Sequence, residues 1–282
     1  MKMEQEKLNR LKKIATEIRL DIIEEVHSAK SGHPGGSLSI ADIITYLYYE
    51  EMNIDPKNPN WADRDRFVLS KGHTAPALYA VLAEKGYFPK EELKKLRQVD
   101  SFLQGHPDMK ITPGVDMTTG SLGLGISAAC GMALAAKVDG KDYRTYTIVG
   151  DGESEEGQIW EAAMFAAHHK VDNLVGIVDW NGQQIDGRVD EVGGVGDLEA
   201  KFSAFGWDVI VADGHDFEAI LNAYATAEQK CGNGKPVMIL FKSDMGHGVD
   251  FMAGTCAWHG KAPSAEQCEK ALAQLEETLG DF

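Results

Sequence analysis

The chain has 282 residues, 43% hydrophobic and 26% charged, with 30 glycines, enough to bury a full α/β core. Its 44 acidic and 28 basic residues give a formal charge of −16, which argues against a general nucleic-acid binder. The charged start MKMEQEKLNR is no signal peptide, and no apolar run approaches the roughly twenty residues of a membrane span, so a soluble cytoplasmic protein is expected.

Residues 4–30 carry Leu8, Leu11, Ile14, Ile18, Ile22, Ile23 and Val26 at helical spacing with charged residues between them, which predicts a long amphipathic helix. Pro34 and the glycines of Ser31-Gly32-His33-Pro34-Gly35-Gly36-Ser37 end that pattern, and Ser37 or Ser39 can cap a new helix over residues 40–52. His33 therefore falls in a loop. Taken alone a loop histidine is a surface residue, but its flanking glycines permit close approach of a ligand. After a polar connection, residues 66–69 read as a short strand ending in Ser70-Lys71-Gly72-His73, before a helix over 74–85. A second histidine thus stands where a strand gives way to a helix, the place where open α/β sheets bind ligands. A third follows in Gln104-Gly105-His106-Pro107. The glycine-rich stretch from Thr118 to Gly125 leads into a small-residue helix over 126–137, and it suits both close helix packing and a backbone cradle, with Gly120, Ser121 and Leu122 nearest a ligand.

The chemistry concentrates in residues 143–187. The run 143–149 is β-branched and aromatic, ends in Gly150-Asp151-Gly152, and precedes a helical pattern over 155–169; a second apolar run, 174–178, ends in Asp179-Trp180-Asn181-Gly182. This is a βαβ unit with parallel strands, so Asp151 and Asn181 share one end of the sheet, about 5 Å apart if the strands are neighbours. A carboxylate and an amide oxygen suit a hard cation such as Mg²⁺ whose octahedron ligand phosphates complete. Gly150 and Gly152 let the backbone approach those phosphates, and the next helix points its N-terminus at them. By itself Gly-Asp-Gly is also an ordinary turn. Beyond it, residues 188–196 predict a glycine-rich mobile loop, followed by a helix over 197–205, a strand over 207–211, a helix over 217–230, a strand over 236–241, a loop through Trp258-His259-Gly260-Lys261 and a final helix over 264–279. The alternation predicts an α/β fold, a mostly parallel sheet flanked by helices, in one domain. Cys130, Cys231, Cys256 and Cys268 show no C-x-x-C or zinc-like spacing and read as reduced thiols.

A GDG closing one strand and an Asn closing the next resembles the thiamine diphosphate and metal motif. With the intervening EEGQIWEA and GQQIDG, and with SGHPGG, SKGHTAPALY, GHPD, TPGVDMTTGSLGLG and WHG in order, nearly the whole chain resembles transketolase. The resemblance implies a thiamine diphosphate-binding fold, specifically a single diphosphate-binding domain over 1–282. It implies transfer of a two-carbon ketol unit from a ketose phosphate to an aldose, with thiamine diphosphate and Mg²⁺ or Ca²⁺. It assigns Asp151, Asn181 and the backbone carbonyl of Gln183 to the metal, and Gly152 to the diphosphate. Gly150, Glu153 and Ile185 join the cofactor site; His73 and His259 face the cofactor phosphates or the reacting sugar. His33 and His106 would bind donor hydroxyls and shuttle protons. Glu156 and Glu161 match acidic residues at a subunit contact that couples cofactor sites; their alternative is a solvated helix face.

Ser121 stands where the family usually has Pro. The single-chain family form also continues through pyrimidine-binding and C-terminal domains, and the former supplies the carboxylate that activates the cofactor ring. The resemblance is therefore to the N-terminal half of a split transketolase, active in the pentose phosphate pathway only with a second, C-terminal subunit, in an α₂β₂ assembly. Two alternatives stay open: the α subunit of a thiamine-dependent 2-oxo-acid dehydrogenase, against which the histidine motifs argue, and a non-catalytic paralogue.

Overall fold

Alternating apolar strands and amphipathic helices build a doubly wound sheet. The structure, a computed structural model, describes residues 2–281. The chain opens with α1 (Gln5–Ala29), then the short α2 (Pro34–Leu38), α3 (Ala41–Tyr46), β1 (Arg66–Leu69) and α4 (Ala75–Lys85). α5 (Gly125–Val138) leads to the βαβ unit β2 (Thr145–Gly150), α6 (Gly157–His168) and β3 (Leu174–Trp180). A hairpin of β4 (Gln183–Gln184) and β5 (Gly187–Arg188) and the single turn α7 (Val189–Val192) follow. The remainder is α8 (Leu198–Ala204), β6 (Asp208–Asp213), α9 (Phe217–Lys230), β7 (Val237–Lys242) and α10 (Ala265–Thr278).

The main sheet is parallel throughout, in the order β1-β2-β3-β7-β6. The chain moves outward through β1, β2 and β3, places β6 at the far edge, and returns to insert β7 beside β3. The boundary between β3 and β7 is thus a point where strand order reverses, the position at which open sheets leave a crevice at their carboxyl ends. Successive strand residues face opposite layers. Phe67, Tyr146, Ile148, Ile177 and Ile239 share a core with α1, α3, α4, α9 and α10, whereas Val68, Val149, Val178 and Leu240 pack with α5, α6 and α8. Both faces being covered, the central strands are continuous apolar runs.

Local capping explains the start of the last three helices. The Asp197 side chain accepts from the Ala200 N–H at the start of α8, Asp216 from the Glu218 N–H at the start of α9, and Ser264 forms a reciprocal capping box with Gln267 at the start of α10. Four expectations change. The SGHPGGS stretch is not all loop, because Pro34 is tolerated at a first helical position and α2 starts there. Neither Ser37 nor Ser39 caps α3: Ser37 Oγ donates back to the His33 carbonyl at 2.7 Å, and Ser39 Oγ donates to Asp179. The helix expected over 40–52 loosens into a π-helical turn at Leu47–Glu51. Residues 188–196 are not a plain loop, since they complete the hairpin and form α7. Among the described residues no helix is long and apolar enough to cross a membrane.

Candidate active site

The loops that leave the carboxyl ends of β1, β2, β3 and β7 all contribute to one cleft of 480 Å³. Its size is that of a cofactor site. β2 and β3 are in register as Gly150 opposite Asp179, so the residues just beyond them, Asp151 and Asn181, emerge side by side. Asp151 is buried; its Oδ1 accepts from the Gly152 N–H at 2.9 Å and its Oδ2 from the Gly182 N–H at 2.6 Å. Burial, and then the neighbouring Asp179, push the Asp151 carboxyl up to about 7 despite those two N–H groups. Asn181 donates its amide to Asp179 Oδ2 at 2.7 Å, and its own Oδ1 accepts from the Gln183 N–H at 3.0 Å.

Three histidines from three separate segments converge across the cleft. The ring centroids of His33 and His73 lie 5.0 Å apart, those of His73 and His259 5.1 Å, and those of His33 and His259 5.5 Å. Burial first, then the other rings and Arg97, lower His33 to about 4; burial and Lys71 push His73 down further. His106 and His259 are lowered as well, chiefly by burial, with Arg97 acting on the former and Lys71 on the latter. All four rings are thus neutral near pH 7 and can donate at one nitrogen and accept at the other. Gly120 is required behind His106: its φ is +141°, and a Cβ there would lie 3.0 Å from the His106 ring.

The cleft also gathers Gly120, Leu122, Gly150, Gly152, Glu153, Glu156, Asn181, Gln183 and Ile185. Ser121, expected near the ligand, stands outside it, exposed on the glycine-rich loop, and Glu161, expected at a subunit contact, is exposed on α6. Glu153 lines the cleft, but its carboxylate is taken up by the protein. Its Oε1 accepts from the Ser70 hydroxyl and the Gly123 N–H, and its Oε2 from the Gly150 N–H, so it ties three loops together.

Sequence reasoning missed the floor of the site. Asp179 is fully buried and accepts from Lys71 Nζ, Ser39 Oγ at 2.6 Å, Asn181 Nδ2 and Ser243 Oγ. Burial alone would raise its carboxyl, but Lys71 and the two hydroxyls outweigh that and hold it below the usual carboxylate range. Lys71, buried as well, also donates to the Gly36 carbonyl at 2.9 Å. The signal was an Asp at the end of an otherwise apolar strand, two residues before Asn181.

The residues present fit a diphosphate cofactor with a hard cation. Asp151 and Asn181 bring a carboxylate and an amide oxygen to the cleft that Gln183 also lines, and a cation would offset the cost of burying the Asp151 charge. His33 Nδ1 and His259 Nδ1, on two residues that line the cleft, are buried without a hydrogen-bond partner within the protein, which is what groups awaiting a ligand present.

Comparison with known proteins agrees. Residues 10–280 match the family described as "Transketolase, thiamine diphosphate binding domain". The chain is 49% identical to the 6-deoxy-6-sulfo-D-fructose transketolase subunit SqwG of Clostridium sp. (strain MSTE9), over 93% of this chain and 94% of that one. It is 41% identical to an apulose-4-phosphate transketolase subunit of Phocaeicola vulgatus, over 93% of this chain and 92% of that one. Against the transketolase of Mus musculus the identity is 41%, covering 97% of this chain but 43% of the relative. The solved transketolase of Leishmania mexicana superposes with a TM-score of 0.88 at 35% identity, over 94% of this chain and 41% of that chain. The chain therefore belongs to the transketolase family, as a thiamine diphosphate binding domain.

Proposed function

We propose that this chain is the diphosphate-binding subunit of a two-chain transketolase. With a partner that carries the pyrimidine-binding and C-terminal domains, it moves a two-carbon ketol unit from a ketose phosphate to an aldose phosphate. The observation that carries this reading is the meeting of His33, His73 and His259 across one cleft from Asp151 and Asn181. Polyhydroxylated substrates need several neutral donor–acceptor groups, and an oxo-acid does not, so the 2-oxo-acid dehydrogenase alternative is not favoured.

Asp151, Asn181 and the Gln183 carbonyl would hold Mg²⁺, or Ca²⁺ in its place, against the cofactor diphosphate. Gly152, where a Cβ would lie 3.1 Å from Gln184 Cβ, keeps the backbone close enough to take part. When bound, thiamine diphosphate supplies the nucleophilic carbon and the electron sink that ketol transfer requires. His33 and His106 would hold donor hydroxyls and move their protons, while His73 and His259 would orient the cofactor phosphates or the sugar. Lys71 and Asp179 act beneath them by fixing the Asn181 amide.

The partner is supported by the outer face of α5 and α6. α5 has no charged residue before Lys137, Leu122 and Leu124 stand exposed on the loop just before it, and Met164 and Phe165 stand exposed on α6, which also carries the exposed Glu161. An apolar surface of this kind marks an interface. We place the partner on it in an α₂β₂ assembly, in the reducing cytoplasm that four unpaired cysteines suit. Residues 1–282 would then be one diphosphate-binding domain. The donor is a ketose with an anionic tail. Xylulose 5-phosphate, the donor of the pentose phosphate pathway, is the starting choice, and the similar proteins' names add 6-deoxy-6-sulfo-fructose and apulose 4-phosphate as further candidates.

The test is a two-carbon transfer assay with these donors and ribose 5-phosphate, with thiamine diphosphate and Mg²⁺, on the chain alone and with its partner. Activity is expected only in the mixture. Full turnover by the isolated chain would overturn the two-chain reading, and a mixture that binds cofactor yet transfers nothing from any donor would overturn the transketolase reading.

A further inference from the structure

α1 carries a polar feature that the cleft does not use. Glu25 is completely buried, and neither of its carboxylate oxygens has a hydrogen-bond partner. One turn earlier, Asp21 is buried too and leaves its Oδ2 unpartnered. Both side chains line a cavity of 220 Å³ between α1 and the 3₁₀ segment Lys90–Lys95. Glu24 and Glu91 also line it, against Lys90 and Lys94. Lys90 is already engaged: its Nζ reaches Asp21 Oδ1 at 3.0 Å, Glu84 Oε1 at 2.5 Å and Glu17 Oε2 at 3.5 Å. One ammonium therefore serves three carboxylates, and three buried oxygens of two residues that line the cavity are left without a donor.

A buried carboxylate without a partner costs several kcal/mol unless it takes a proton or a cation. Burial pushes the Asp21 carboxyl up to about 7 in spite of Lys90, and pushes Glu25 well above its ordinary range with help from Asp21. Both shifts reflect the lack of a partnering cation at this wall of the cavity. Among the described residues, the one cluster of three metal-ligating side chains lies elsewhere, at Asp42, His215 and His247. At Glu25 the side chains are too few for a metal cage, but a carboxylate with both oxygens unpartnered is what the N–H fork of a guanidinium pairs with, and Asp21 lines the same cavity with a third unpartnered oxygen.

We propose that this cavity binds an alkylguanidinium cation, held by both oxygens of Glu25 and by Asp21 Oδ2. The cation is either a free small molecule or the end of an arginine side chain on the partner subunit.

The test is calorimetric titration of methylguanidinium into the full chain at pH 8, with tetramethylammonium, which has no N–H, as the control. Methylguanidinium should bind and tetramethylammonium should not. Glu25→Gln, which keeps the shape and removes the charge, should weaken binding by about tenfold or more, and Asp21→Asn should weaken it less. No binding to the wild-type chain, or equal binding to wild type and Glu25→Gln, would overturn the proposal. Repeating the titration on the complex with the partner subunit identifies the source: exclusion of methylguanidinium means that the partner's arginine fills the cavity, and retention means a free cation.

Discussion

Asp179 and Glu25 are both fully removed from solvent, one at the end of β3 and the other on α1, yet their surroundings are opposite. Asp179 accepts from an ammonium, two hydroxyls and an amide, and stays charged. Glu25 accepts from nothing and is driven toward its protonated form. Burial alone therefore says little about an acid's role. The supply of donors decides whether it becomes a fixed anchor beneath a site or a group open to a visitor.

Removing charges in turn presses this contrast. Asp151→Ala should have the largest effect, taking transfer activity of the assembled enzyme to background and abolishing binding of thiamine diphosphate in a calorimetric titration with Mg²⁺ present. Asp179→Ala leaves the Lys71 ammonium buried without its partner, and should cost about 3 kcal/mol in urea unfolding. Its contribution is a depressed carboxyl's: present above the ordinary carboxylate range and lost as pH falls through it. His33→Ala should lower kcat about a hundredfold with cofactor affinity retained, as expected for a group that handles substrate protons. Glu25→Gln should act in the opposite sense to Asp179→Ala. A raised carboxyl favours the fold at low pH and loses that contribution as pH rises. The variant should therefore match wild type near pH 4 and gain about 1–2 kcal/mol by pH 8 when no cation is bound. A Glu25→Gln chain less stable than wild type at pH 8 would erase the contrast.

Much of this was legible beforehand because the strands are continuous apolar runs and the glycine motifs sit at their ends. Asp151, Asn181 and the histidines fell into one cleft for that reason. The hairpin at Gln183–Gln184 was not legible, since two-residue strands leave no periodic signal. Lys71 and Asp179 were passed over because each is a lone charge at or just beyond a strand end, and the ion pair joins residues 108 positions apart. Ser121 was assigned through the motif that contains it, and it is exposed and does not line the cleft; Glu161, expected at a subunit contact, is exposed on α6. Glu25 looked like one more charge between the apolar positions of α1; its burial depends on the segment at Lys90–Lys95, which closes over that side of the helix.

The order of the strands also shapes how the chain is made. β7 fills the slot beside β3 but begins at Val237, 57 residues after β3 ends at Trp180. A nascent chain that has already assembled β1, β2 and β3 therefore carries an unpaired, largely apolar strand edge until Val237–Lys242 emerges. β6 is made first but belongs on the other side of β7, so its premature pairing with β3 is the competing misfold. Synthesis paused between residues 213 and 237 should be the stage at which this protein most needs a chaperone.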